Sequence, residues 1–369
     1  MSQYTHLSEP LSTDSDLISA LSYARLQQLQ ATKQSQVPPP DIHTLRKGFN
    51  LSIAKLQEIE RDTLPNDSEY RVEEYDIPVD NESNTEALGQ SRETFKVRCY
   101  IPTPTGAKSE DSKAKTVKKP VLVWFHAGGF IIGNLETEDY FLRRICVSLG
   151  IVIVNVDYRL APEHVFPASL NDCHSAVKWV INNSFEYWNI SPTEDGIILG
   201  GCSAGGNASA ALAIILQDEP FNDVKVKGQL LQMPLTIHPE DGKTSKWNDQ
   251  LLSLEQNKDS TGLGKPQIDN IIKLLQPPLN DPRFSVALAS SHQNLPPAYI
   301  QIGGYDPLRD DGFLYERILK ESGVKTKTDI YPGLPHRGHV QFPSTKIAQR
   351  LEEDLKIGLK WLMDSEEKE

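Results

Sequence analysis

From Val121 onward the chain alternates short β-branched runs with amphipathic stretches, and this alternation leaves few architectures open. Val121–Phe125 reads as a buried strand, followed by a helix around Asp139–Leu149, a strand at Ile151–Val156 and a helix at Leu170–Ile181. The spacing then predicts a strand at Gly196–Gly200, a helix at Asn207–Gln217 and a strand at Val226–Met233. After an interruption it resumes with a strand at Ala298–Ile302, a helix at Gly312–Ser322, a strand at Thr326–Tyr331 and a final helix to about Met363. Strands apolar on both faces and separated by helices require a parallel sheet covered on both sides. Tyr70–Val79 and Thr94–Ile101 look like more amphipathic edge strands. The expected fold is a doubly wound, mostly parallel α/β sheet.

Two regions break the alternation. Residues 1–69 hold an amphipathic helix near Asp16–Gln30, a Pro-rich joint at Val37–Pro40 and a second helix. In that second helix Ile42, Leu45, Phe49, Ile53 and Leu56 share one face. Residues 236–283 form an insertion with helical stretches near Trp247–Leu254 and Pro266–Leu275. The core is thus expected in two parts, 70–235 and 284–369, with both misfits packing over one end of the sheet. No internal repeat is visible.

Composition removes several function classes. The chain has 369 residues and a formal net charge of -12, whereas nucleic-acid binding needs a clustered positive field. The one dense basic stretch, Lys113–Lys119, precedes Pro120 between two strand-like segments and reads as a solvated loop. The N-terminus shows no basic n-region and no apolar h-region, and no apolar run approaches a membrane span. Cys99, Cys146, Cys173 and Cys202 show neither Cys-x-x-Cys pairs nor close histidines, so no zinc site and no disulfide framework is expected. A cytoplasmic location is the default for such a chain.

The chemistry is carried by Gly201-Cys202-Ser203-Ala204-Gly205. Gly-x-Ser-x-Gly alone is a weak signal, but here Ile197-Ile198-Leu199 leads in as a strand and Asn207–Leu212 leads out as a helix. A nucleophile elbow needs that strand–turn–helix, with glycines where neighbouring backbone leaves no room for a side chain. Ser203 is the expected nucleophile. His126-Ala127-Gly128-Gly129 follows directly on a strand, where glycines let main-chain N–H groups reach a substrate. Gly128 and Gly129, with the N–H of Ala204, are the expected oxyanion donors. No Gly-Lys-Ser/Thr follows, so this is not a phosphate loop.

An acid and a base must come after the serine, in that order. Asp306 sits where the strand at Ala298–Ile302 meets a loop. Asp310 and Asp311 compete with it, but they precede a helix and suit an N-cap or first-turn role. After the strand ending at Tyr331, either His336 or His339 could be the base, and His336 is nearer the strand end.

With these motifs in place the chain resembles the hormone-sensitive-lipase family of α/β hydrolases, a group of carboxylesterases and lipases. The likeness runs from about Pro120 to the C-terminus. It rests on His126–Gly129, on Asp157-Tyr158-Arg159-Leu160-Ala161-Pro162-Glu163-His164, on Gly201–Gly206, and on Leu295-Pro296-Pro297 through Asp306-Pro307-Leu308-Arg309-Asp310. The resemblance implies an α/β-hydrolase fold with a helical cap, made from the N-terminal helices and an insertion before the acid. On that reading, loss of the first helix only thins the cover. The charged residues of Asp157–His164 are expected to tie their loop to the oxyanion turn. Two departures stand out: Ala127 where the family usually has the first of three glycines, and Cys202 where it usually has Asp or Thr.

The implied activity is hydrolysis of short- to medium-chain or small-molecule carboxylic esters through an acyl-enzyme, with Ser203, Asp306 and His336 as triad and with no metal or organic cofactor. A tailoring esterase acting on a secondary metabolite fits that reading. The alternatives are an acyltransferase or lactonase using the same triad, and a non-catalytic small-molecule receptor on the same fold. The intact triad counts against the receptor. Some relatives pair through the last strand and helix, which makes a homodimer a further expectation.

Overall fold

The computed structural model describes residues 4–12, 14–34, 41–79, 93–103 and 119–365. The Pro-rich joint at Val37–Pro40 and most of the basic stretch, up to residue 118, lie outside them. Two helices come first, α1 (Ser15–Gln34) and α2 (Ile42–Glu60), then the strands β1 (Tyr70–Pro78) and β2 (Thr94–Pro102). The alternating part runs β3 (Val121–Phe125), α3 (Asp139–Leu149), β4 (Ile153–Asp157), α4 (Ala168–Trp188), β5 (Ile197–Cys202), α5 (Ala204–Asp218) and β6 (Val226–Gln232). The insertion carries α6 (Pro239–Thr244), α7 (Ser253–Gln256) and α8 (Lys265–Leu275). The chain closes with β7 (Ala298–Gly303), α9 (Arg309–Glu321), β8 (Thr326–Tyr331), α10 (Gly338–Gln341) and α11 (Lys346–Asp364).

Among the described residues eight strands form one sheet in the order β1-β2-β4-β3-β5-β6-β7-β8. Pairings of β1 with β2 and of β2 with β4 are antiparallel. All the others are parallel. Alternate residues of each central strand enter opposite layers, as the pleat requires. Val121, Val123, Phe125, Ile197 and Leu199 face a layer formed with α4, α5, α8 and α9. Leu122, Trp124, Ile198 and Cys202 face the layer of α3 and α11. Helices on both faces bury the sheet, which is why β3 and β5 are apolar throughout.

The N-terminal helices behave differently from each other. On α2, Ile53 is buried, and Ile42 and Leu45 pack against the larger core layer. On α1, Leu17 and Leu21 are buried in a separate cluster with Met233, Tyr331, Leu334, Ile347 and Leu351. The first helix therefore docks beside β8 and α11. The expected helix near Trp247–Leu254 is broken into a 3₁₀ turn, Asn248–Gln250, and the single turn of α7. Buried Asp310 holds the amides of Leu252 and Ser253 at 2.8 Å each, and this tertiary anchor interrupts the helical spacing. Among the described residues no helix is long and apolar enough to cross a membrane.

Candidate active site

The loops leaving the C-terminal ends of β3, β5, β7 and β8 carry the residues singled out by motif, on the edge where open α/β sheets bind ligands. Ser203 stands between β5 and α5 with φ 58° and ψ −114°, a left-handed conformation costly for a residue with a side chain. The turn is held by backbone: the Ser203 N–H donates to the Gln232 carbonyl at 2.8 Å. A Cβ on Gly205 would lie 1.8 Å from the Phe125 carbonyl oxygen, so only glycine lets the start of α5 abut the end of β3. Ala204, the first residue of α5, thereby comes beside the β3 loop with its N–H among those that a helix leaves unpaired. Cys202 points the other way, into the α3 and α11 layer, where burial pushes its thiol well up. The departure from the usual residue there is a packing choice, and a buried neutral thiol is inert.

The β3 loop is built on His126, fully buried and stacked on Tyr158 with ring centroids 4.0 Å apart. Burial pushes the imidazole down to about 4, so it is neutral at physiological pH. Gly128 has φ 134°, and a Cβ there would meet the Ile132 carbonyl oxygen at 2.0 Å. Gly129 follows at φ 63° and lies against the Ile271 side chain of α8. The loop is fastened to the Asp157–His164 segment by the Tyr158 hydroxyl, which donates to the His126 carbonyl at 2.6 Å, and by the Ala161 N–H, which donates to the Phe130 carbonyl at 2.9 Å. Of the charged residues expected to make this tie, Glu163 does so through Arg46. Arg159 instead clamps Asp172 of α4 with two bonds of 2.8 Å, and Glu163 holds Arg46 of α2 at 2.7 Å. Arg46 then reaches the loop itself, donating to the carbonyls of Ile131 and Ala161 at 2.9 Å each.

Asp306 and His336 are brought together across β7 and β8. His336 Nδ1 lies 2.7 Å from Asp306 Oδ2, both residues buried, while Asp306 Oδ1 accepts the Leu308 N–H at 2.8 Å. The two loops are zipped by backbone: Gly304 N–H donates to Tyr331 O at 2.8 Å and Tyr305 N–H to Leu334 O at 3.0 Å. The competitors go elsewhere. Asp311 accepts the amides of Thr236 at 2.8 Å and Ile237 at 3.3 Å, so with Asp310 it anchors the insertion rather than capping its own helix. His339 lies on α10, where burial of the ring pushes it down to about 3.

One pair escaped the motif reading. Arg337, next to His336, takes a left-handed φ of 52° and aims its guanidinium at Glu138 Oε1, 3.0 Å away. Glu138 is buried at the start of α3, just beyond the Gly128–Gly129 loop. Burial raises its carboxyl and Arg337 opposes the rise. The pair ties the His336 loop to the start of α3, and Arg337 also lies over the Phe49 ring of α2, 5.6 Å from its centroid. Two opposite charges so far apart in sequence leave no local signal.

Comparison with known proteins agrees with the fold. A family model described as alpha/beta hydrolase fold matches residues 122–340. Versiconal hemiacetal acetate esterase of Dothistroma septosporum is 32% identical over 266 residues, 70% of this chain and 78% of that one. Esterase LipI of Mycobacterium tuberculosis is 34% identical over 230 residues, 60% of this chain and 66% of that one. Among solved structures, vibralactone cyclase superposes with a TM-score of 0.82 at 35% identity, covering 97% of this chain and 96% of that one.

Proposed function

Since the chain belongs to the hormone-sensitive-lipase-like family of α/β hydrolases, we propose that it is a serine carboxylesterase working through Ser203, His336 and Asp306. The observation that carries this reading is the 2.7 Å contact between His336 and Asp306 at the edge where the strained turn presents Ser203. His336 takes the Ser203 proton as Oγ attacks the ester carbonyl. Asp306 holds the imidazole tautomer and stabilises the cation. The N–H groups of Gly128, Gly129 and Ala204 receive the oxyanion. Collapse expels the alcohol, which takes the proton from His336. Water, deprotonated by the same ring, then releases the acid from the acyl-enzyme.

The substrate class is a short- to medium-chain or small-molecule ester. Ile271 of α8 lies against Gly129, which brings an apolar side chain of the insertion to the proposed oxyanion turn. A turn lined in this way favours small acyl groups. A tailoring role on a secondary metabolite is supported by likeness to the versiconal hemiacetal acetate esterase. The likeness to vibralactone cyclase favours a second reading, in which a hydroxyl of the same acyl chain replaces water and a lactone forms. The test is turnover of p-nitrophenyl esters of graded acyl length, with hydroxyacyl esters included and products identified. Expected are a maximum at short chains and labelling of Ser203 by a fluorophosphonate. A purified chain that turns over none of these esters and resists labelling is not this enzyme.

A further inference from the structure

We infer that the N-terminal residues 4–12 and 14–21 form a strap that positions the acid and base loops, with Ser8 as its central positioning residue. The inference rests on the roles proposed above for Asp306 and His336. Beyond the expected cover, this segment holds the two loops directly. The Leu7 carbonyl accepts the Gly333 N–H at 2.8 Å, three residues before His336. The same carbonyl oxygen would stand 2.0 Å from a Cβ on Gly304, two residues before Asp306, so a single atom of the strap meets both loops.

The Ser8 hydroxyl extends this grip through side chains. It donates to Asn257 Oδ1 at 2.9 Å and accepts from Arg309 Nη1 at 3.0 Å. Asn257, buried after α7, donates in turn to the Asp306 carbonyl at 2.9 Å. Arg309 is fully buried, and its other bonds go to Asp310 Oδ1 at 2.9 Å, Gln256 Oε1 at 2.6 Å and the Gly304 carbonyl at 3.4 Å. Ser8 thus orients the amide that holds the Asp306 backbone and the guanidinium at the start of α9. Further along, Asp16 accepts the Lys346 N–H at 2.8 Å, and Leu17 and Leu21 pack on Leu334 and Tyr331 of the base loop. A buried polar chain of this kind fixes orientation more than it adds stability.

Positioning and mere structural support separate in the full-length chain through the pair Ser8→Thr and Ser8→Val, which differ by a hydroxyl against a methyl. Ser8→Thr is expected to keep kcat within twofold of wild type. Ser8→Val is expected to lose about tenfold in kcat with KM within twofold, because the loss falls on proton transfer and not on substrate binding. The downfield proton resonance of the His336 Nδ1–H facing Asp306 provides a reading independent of turnover. It should be kept in Ser8→Thr and broadened or shifted in Ser8→Val, with melting temperatures measured for both. An unchanged kcat and an unchanged resonance in Ser8→Val overturn the strap. Wild-type protein that shows the resonance and its sensitivity to Ser8→Val, yet neither hydrolyses esters nor takes up fluorophosphonate, keeps the strap's hold on the pair and overturns the esterase reading.

Discussion

The Ser203 turn and the loops of Asp306 and His336 sit on the same edge of one sheet, but they are held by different physics. Around Ser203 the restraint is steric and local: Gly205 against Phe125, a backbone bond to Gln232, and apolar residues on both faces of β5. Around Asp306 and His336 it is polar and long-range, with partners drawn from Leu7, Ser8, Asn257 and Glu138. A turn made by close backbone packing is rigid and resists substitution at its glycines. A pair of loops held by scattered hydrogen bonds can be loosened one bond at a time. Chemistry needs the three side chains in a common geometry, so the polar half sets how well that geometry is kept.

The largest expected effect breaks the steric half. Gly205→Ala should abolish the native fold, because its Cβ would stand 1.8 Å from backbone that cannot move without unpairing β3. The check is loss of soluble protein or of a cooperative melt. Ser203→Ala, by contrast, should keep the melting temperature and cut kcat for an activated ester by about a thousandfold or more. A Ser203→Ala enzyme with near-wild-type turnover would end the mechanism.

The next effect tests the polar half. Asp306→Asn and His336→Ala should each lose about a thousandfold or more in kcat, whereas His339→Ala should stay within about fivefold of wild type. His339 lies on α10, three residues past the ring that meets Asp306. Steady-state kinetics on the three variants decides it, and the reverse order for the two histidines reassigns the base.

This contrast also explains what could be read without a structure. The elbow announces itself in five consecutive residues because the glycines its close backbone packing needs are neighbours in sequence. The alternation from Val121 to Tyr331 is legible because both faces of the central strands are buried, and the ends of β3, α3 and β8 fall where the spacing puts them. Asp306 and His336 followed from chain order. What stayed hidden were the side-chain restraints that join residues outside any motif. Ser8 to Asn257, Arg337 to Glu138 and Asp310 to the amides of α7 pair residues with no periodic or motif relation. Asp310 and Asp311 looked like helix-start acids by position, and they do stand in the first turn of α9. Their carboxylates nevertheless turn to the insertion.

A smaller effect is expected at the Arg337–Glu138 link. Both side chains are largely buried, so removing one strands the other, at a cost of about 3–5 kcal/mol. Arg337→Met should lower the melting temperature and reduce kcat about tenfold. Arg337→Met combined with Glu138→Gln should recover part of the stability, because no buried charge is then left alone. Denaturant melts and kinetics on the single and double variants close the cycle. If the double variant is as unstable as the sum of the single ones, the pair is not coupled.

The smallest effect is one of pH, and it separates the two halves without touching activity. Burial, with the neighbouring carboxylates Asp310 and Asp306 adding to it, pushes Asp311 up to about 7, against the pull of its two backbone amides. The unfolded carboxyl titrates near ~3.9. Between those values the folded chain keeps a proton that the unfolded chain has lost. The contribution of Asp311 to stability is therefore fully present below about 4 and is lost as pH rises through about 7. Asp311→Asn keeps an oxygen to accept the Thr236 and Ile237 amides but cannot ionise. The melting temperature of wild type relative to Asp311→Asn should accordingly fall between pH 5 and pH 8, on the order of a few degrees. The same comparison for Ser203→Ala should be flat over that range, since the nucleophile turn rests on backbone contacts and the Cys202 thiol is held protonated. A constant offset between wild type and Asp311→Asn would mean that the insertion is anchored by an ionised carboxylate at every pH. The polar half of the site would then be as indifferent to proton concentration as the steric half.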